Sequence, residues 1–155
     1  RANTLKITAE ELAETLKRAG IQFQKVPWWE NAFILESGLL PDLTELNLYK
    51  EGYFYVQSLS SMIPPLVLDP KKDERILDIA AAPGSKTTQI AALTHNTGEI
   101  VANDNSRNRI YKLEANLKMQ RITNTKVTTS AGQTIWQTYP EYFDKVLVDV
   151  PCSME

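Results

Sequence analysis

Asp78-Ile79-Ala80-Ala81-Ala82-Pro83-Gly84-Ser85-Lys86-Thr87 is the stretch whose reading decides the fold. It follows Arg75-Ile76-Leu77, which reads with Asp78 and Ile79 as a buried strand, and it runs into a segment from Lys86 to Leu93 that reads as a helix. Between the two, small residues let backbone amides approach a ligand, and Pro83-Gly84 forces a tight turn. The partial positive charge of a helix N-terminus favours a carboxylate or phosphate there. An ordinary strand-to-helix turn of any α/β protein has the same text, and both readings stand at this point. Neither a G-x-G-x-x-G fingerprint nor a G-x-x-x-x-G-K-[ST] loop occurs, so two common nucleotide sites lack their defining residues.

Working outward, Glu99 to Ala102, Thr125 to Thr129 and Lys145 to Asp149 read as further strands, with a helix from Arg107 to Met119. This alternation predicts an α/β fold with a parallel, doubly wound, Rossmann-like sheet whose ligands sit at the carboxyl ends of the strands. Upstream, Thr4 to Ile7 reads as a short strand, and Ala9 to Ala19 as a helix capped by Thr8 and Glu11 and stopped by Gly20. Ile21 to Val26 and Phe33 to Leu35 read as two more strands. A turn-rich connector with Gly38, Pro41, Asp42 and Gly52 is expected over residues 36–57, then a short helix from Ser58 to Ile63 ended by Pro64-Pro65. The predicted organisation is a small α+β N-terminal unit with its connector over residues 1–57 and an α/β core over residues 58–155.

The 155 residues allow one core with a small appended unit, and 43% apolar with 23% charged residues is a globular balance. No apolar run is long enough to span a bilayer and Arg1-Ala2-Asn3-Thr4 opens no signal peptide, so a soluble, cytoplasmic protein is expected, with no membrane partner. One cysteine and one histidine exclude an internal disulfide and a clustered metal site. A net charge of -2 argues against a chain coated uniformly in nucleic acid but leaves room for a local basic face.

Two further candidates fall at strand ends. Asp104 is placed to accept hydrogen bonds from the ribose hydroxyls of a nucleoside cofactor, and the plain alternative is a turn in which Ser106 caps the next helix. Asp149-Val150-Pro151-Cys152-Ser153 ends the last strand. A thiol at Cys152 suggests covalent chemistry at a pyrimidine, because carbon 5 of cytosine is not nucleophilic until a thiolate adds to carbon 6. A packing role is the alternative for an isolated cysteine.

Taken together, Arg1 to Lys6, Gly52 to Ser61, Asp78 to Thr87, Asp104 and Asp149 to Ser153 resemble, in order, the Nop/Sun family of RNA cytosine-5 methyltransferases. The resemblance covers nearly the whole chain. It implies a Rossmann-like methyltransferase domain behind a smaller RNA-binding unit, S-adenosylmethionine as cofactor, and RNA, ribosomal before transfer RNA, as substrate and partner. It further implies that Ala80, Ala81, Ala82, Pro83, Gly84, Ser85 and Lys86 wrap the methionine end, that Asp104 holds the ribose, and that Asp149 lies against cofactor and target base. The attacking cysteine of the family lies further along, in a Thr-Cys-Ser motif, while the cysteine of the Pro-Cys pair, here Cys152, assists release of the adduct. Ala80 stands where the family usually has cysteine, and Ala131 where it commonly has an acidic residue near the adenine.

Because the sequence ends at Glu155 before a Thr-Cys-Ser motif, it reads as a fragment, inactive by itself and with an unpaired sheet edge at its last strand. A monomer is expected. The rival readings are an RNA-binding module that binds cofactor without turnover, and a different nucleotide-dependent α/β enzyme such as a dehydrogenase. For RNA, Trp28, Trp29, Tyr53 and Tyr55 offer stacking surfaces, with Lys25, Lys50, Arg107 and Arg109 near in sequence. A hydrophobic seam explains the tryptophans equally well.

Overall fold

The computed structural model describes residues 1–35 and 40–149. The chain forms two compact units, one of Arg1–Gln57 with Met119–Arg121 and one of Ser58–Lys118 with Ile122–Glu155. No helix among the described residues is long and apolar enough to cross a membrane.

In the first unit, helix α1 (Ala9–Arg18) opens on the expected capping box, with Thr8 accepting from the Glu11 amide and the Glu11 carboxylate accepting from the Thr8 amide. It buries Leu12, Ala13 and Leu16 against a core shared with Ile21, Phe33, Leu43 and Phe54. Gly20 takes the left-handed conformation, φ 73°, that ends the helix. Strands β1 (Phe23–Lys25) and β2 (Phe33–Leu35) pair antiparallel, with the Phe23 and Phe33 rings edge to face at 5.0 Å.

Two expectations for this unit are corrected. Thr4 to Ile7 is a turn, because Asn3 gathers the chain about itself: its carbonyl accepts from the amides of Lys6 and Ile7 and its Oδ1 from that of Leu5. Its Nδ2 donates to the carbonyls of Gly52 and Gln120, both at 2.9 Å. The connector also contains two short helices, α2 (Leu40–Glu45) and α3 (Asn47–Lys50). Leu43 is 1% exposed, and this core packing outweighs the turn signals of the flanking residues. Gly38 lies outside the described residues.

The second unit begins with α4 (Leu59–Leu68), capped by the Ser58 hydroxyl. It runs through Pro64 and Pro65 instead of ending there. The carbonyls that lose amide partners, those of Ser60 and Ser61, belong to residues that are not buried, which lowers the cost of the missing bonds. Met62 and Pro65 meanwhile bury their side chains, and the Met62 carbonyl accepts from Gln89 Nε2 at 2.8 Å.

Then follow β3 (Arg75–Asp78), α5 (Ser85–Leu93), β4 (Glu99–Asn103), α6 (Arg107–Gln120), β5 (Thr125–Thr128), a 3₁₀ turn (Gly132–Thr134), α7 (Ile135–Thr138) and β6 (Lys145–Leu147). The four strands form a parallel sheet in the order β5-β4-β3-β6. Alternation along the strands sets the two faces. Ile76 and Ile100 pack with Ile90 and Ala91 of α5, while Leu77 and Val101 pack with Ile135 of α7. This is the predicted doubly wound arrangement, and its strand order reverses between β3 and β6, the crevice where ligands of such sheets bind.

Candidate functional site

The loop after β3 is held from both sides. The Ile79 amide donates to the Leu147 carbonyl of β6 at 3.1 Å, and the Ala81 amide to the Asn103 carbonyl of β4 at 2.7 Å. Gly84, at φ 106°, is the N-cap of α5, and a Cβ on it would stand 3.0 Å from Leu113 Cδ1 of α6. Glycine is therefore required there for conformation and for space. Ala81 and Ala82 are buried with Ile110, Leu113 and Leu117, and the Pro83 carbonyl accepts from Asn116 Nδ2 at 2.8 Å.

At the crossover, Asp78 ends β3 with its side chain buried and its Oδ2 accepting from the Thr87 hydroxyl at 2.7 Å. Burial pushes its carboxyl up to about 6, against the lowering effect of that bond and of Lys86, while Asp149 adds to the rise. Lys86 itself reaches across to Asp149, Nζ to Oδ2 2.5 Å, at the carboxyl end of β6. Two residues predicted to serve cofactor and base are thus one ion pair.

Asp104, 1% exposed, follows β4. Its Oδ1 accepts from the Ser106 amide at 3.0 Å, and its Oδ2 from the Ala82 amide at 3.2 Å and from Arg109 Nη1 at 3.2 Å. Arg109 also donates to the Ala82 carbonyl. Asp104 thus forms the turn before α6 and also lines a cavity.

That cavity, about 410 Å³, is lined by Ile79, Ala80, Asn103, Asp104, Asn105, Arg109, Gly132 and Gln133. Asn103 organises it. Nδ2 donates to the carbonyls of Ile79 and Ser130, both at 3.0 Å, and Oδ1 accepts from the Thr128 hydroxyl at 3.0 Å and the Ser130 amide at 2.9 Å. All four bonding positions of the amide are filled, and the loops after β3 and β5 are fastened to β4. Ile79 meanwhile lies so close to Gly132 that a Cβ there would stand 3.3 Å from its Cδ1 and Cγ1.

Of the sequence-predicted residues, Ala80 and Asp104 line the cavity, the Ala81–Ser85 loop packs beneath it on α6, and Lys86 and Asp149 close on each other at the crossover. Cys152 lies outside the described residues. Sequence reasoning did not identify Asn103, Gly132 or Gln133, and it read Arg109 only as an RNA contact. The available signal was positional: whatever follows the third strand of a doubly wound sheet shares this edge. In the first unit Trp28 is 48% exposed, whereas Tyr53 and Tyr55 sit under Lys6 and Arg1, each cation 5.5 Å from the ring, and Lys50 pairs with Glu45.

Comparison with known proteins agrees with this geometry. The chain is 42% identical over 160 residues to ribosomal RNA small subunit methyltransferase F of Shewanella amazonensis, covering 100% of this chain and 34% of that protein. The chain thus spans about a third of the length of the curated relatives it matches. Among solved structures, a methyltransferase homolog protein from Pyrococcus horikoshii superposes with a TM-score of 0.88 at 39% identity, over 99% of this chain and 50% of that one. NSun6 from the same organism gives 0.85 at 28% identity, over 98% and 62%. The model of the family described as 16S rRNA methyltransferase RsmB/F, whose cofactor is S-adenosylmethionine, matches residues 65–155. This chain belongs to that family.

Proposed function

We propose that the intact protein transfers a methyl group from S-adenosylmethionine to carbon 5 of a cytidine in RNA, ribosomal in preference to transfer RNA, and that this chain supplies the cofactor pocket and one wall of the base site. The observation that carries the reading is the Lys86–Asp149 pair at the strand-order reversal, beside the cavity that ends on Asp104.

The residues present fit the cofactor. A buried carboxylate stands at the end of the second core strand, the uncapped N-terminus of α5 follows the first, and Gly132, lacking a Cβ, packs closely on Ile79 so that the two form one apolar wall of the cavity. Asp104 holds the ribose, residues 80–86 surround the methionine end, and Ile79 with Gly132 flanks the base. When bound, the cofactor supplies an electrophilic methyl group on a positively charged sulfur.

Asp149 orients the cytosine through its polar edge, and Lys86, ion-paired with its Oδ2, holds that carboxylate in place. A cysteine thiolate from a Thr-Cys-Ser motif outside this chain adds to carbon 6, which makes carbon 5 nucleophilic toward the methyl group. A base then takes the carbon 5 proton, and its electron pair restores the ring double bond as the carbon–sulfur bond breaks. Cys152 assists that release. The first unit, with Lys25 and the exposed Trp28, holds RNA.

Titration of the chain with S-adenosylmethionine is expected to give saturable heat that Asp104→Ala abolishes; no heat at millimolar cofactor would overturn the pocket. In the intact protein, Cys152→Ala is expected to accumulate a covalent protein–RNA adduct. Normal turnover without adduct would remove Cys152 from the mechanism.

A further inference from the structure

The polar side chains around the cavity are not equally available to a ligand. Asn103 has spent its whole amide on Ile79, Thr128 and Ser130. The Asp104 carboxylate is engaged by two backbone amides and Arg109. On the loop after β5, the Thr134 hydroxyl donates to the Ala131 carbonyl at 3.1 Å, and Ala131 and Gly132 carry no polar side chain. That leaves Gln133, exposed and lining the cavity, as the polar side chain which the loop presents to a ligand.

The order of the strands fixes what part of a nucleoside meets it. The loop after β3 and the Lys86–Asp149 pair lie at one end of the sheet edge, Asp104 follows on β4, and Gln133 comes after β5, the strand beyond β4. A nucleoside whose ribose reaches Asp104 and whose 5′ substituent points toward β3 therefore carries its base toward β5. There the base meets the Ile79–Gly132 wall, where a Cβ would stand 3.3 Å from isoleucine carbons, and the Gln133 amide at its rim.

We propose that Gln133 is the specificity-determining residue for the purine, accepting from the 6-amino group of adenine and donating to the adjacent ring nitrogen. A primary amide matches that edge in both senses, which is why glutamine and asparagine pair with adenine in nucleic-acid recognition. This assignment rests on the reading of the cavity as the S-adenosylmethionine pocket. It adds the group that selects adenine among purines.

The test is a binding cycle with the 155-residue chain, measured by calorimetry. The probes are S-adenosylhomocysteine and its analogue with unsubstituted purine in place of adenine. The wild type is expected to prefer the adenine compound about tenfold, the worth of the one good hydrogen bond that the 6-amino group adds. Gln133→Ala is expected to bind both compounds equally, and more weakly than the wild type binds the purine analogue, which keeps the ring-nitrogen bond. Gln133→Glu, which keeps the acceptor, is expected to retain the preference. A Gln133→Ala variant that still prefers adenine tenfold would overturn the assignment while leaving the pocket intact, whereas a wild type that binds neither compound would overturn both. Equal melting temperatures for the three proteins are expected, since Gln133 is exposed.

Discussion

Lys86 and Asp149 come from opposite sides of the strand-order reversal and meet at 2.5 Å between Nζ and Oδ2, with the Lys86 side chain 16% exposed and that of Asp149 49%. Asp78 lies close enough to both for its titration to report on each.

Replacing either partner is expected to move Asp78 in opposite directions. Lys86→Met removes a cation that lowers the Asp78 pKa and raises it above about 6; Asp149→Asn removes an anion that raises it and brings it below. Carbon-13 NMR of the Asp78 carboxyl across pH measures both. Equal or unmoved midpoints would mean that the pair does not act on β3.

Asp78 also makes stability depend on pH. Its folded value of about 6 lies above the ordinary 3.8, so the folded state holds the proton more tightly, and stability is lost as pH rises from about 4 to about 6. Above that range the cost is complete, roughly 3 kcal/mol at 1.36 kcal/mol per pKa unit. Asp78→Asn, which still accepts from Thr87, is expected to flatten urea-denaturation stability over this window and to exceed the wild type at pH 7.

Asn103→Leu strips the partners from the carbonyls of Ile79 and Ser130, the Ser130 amide and the Thr128 hydroxyl. A loss of about 2–4 kcal/mol is expected in chemical denaturation. Asn103→Asp is expected to be destabilising too, because it sets an acceptor against two carbonyls.

Gly132→Val tests the wall. Its backbone has no left-handed requirement, and the added side chain presses on Ile79, which lines the same cavity. Affinity for S-adenosylhomocysteine is expected to fall at least tenfold while the melting temperature stays within a few degrees; unchanged affinity would place the base elsewhere.

The sheet was legible because its two central strands carry short apolar runs separated by helical spacing, and Ile76-Leu77 or Ile100-Val101 fit no exposed element. The capping box at Thr8 and the stop at Gly20 were equally plain, being local chemistry. What failed was context. The turn built on Asn3 depends on carbonyls at Gly52 and Gln120, far away in sequence, and the persistence of α4 through Pro64-Pro65 depends on burial of Met62 and Pro65. Asp104 and Asp149 could be placed at strand ends and Lys86 at a helix start from sequence, but a motif does not record partners, so neither the Lys86–Asp149 pair nor the fully committed amide of Asn103 was foreseeable. The short helix α7 left no sequence signal because Trp136, Gln137 and Thr138 around the buried Ile135 show no apolar stripe.

Arg109 spans Asp104 and the Ala82 carbonyl across the mouth of the cavity. In the proposed pocket, ribose hydroxyls reaching Asp104 would have to replace or share the guanidinium contacts that already engage the same carboxylate.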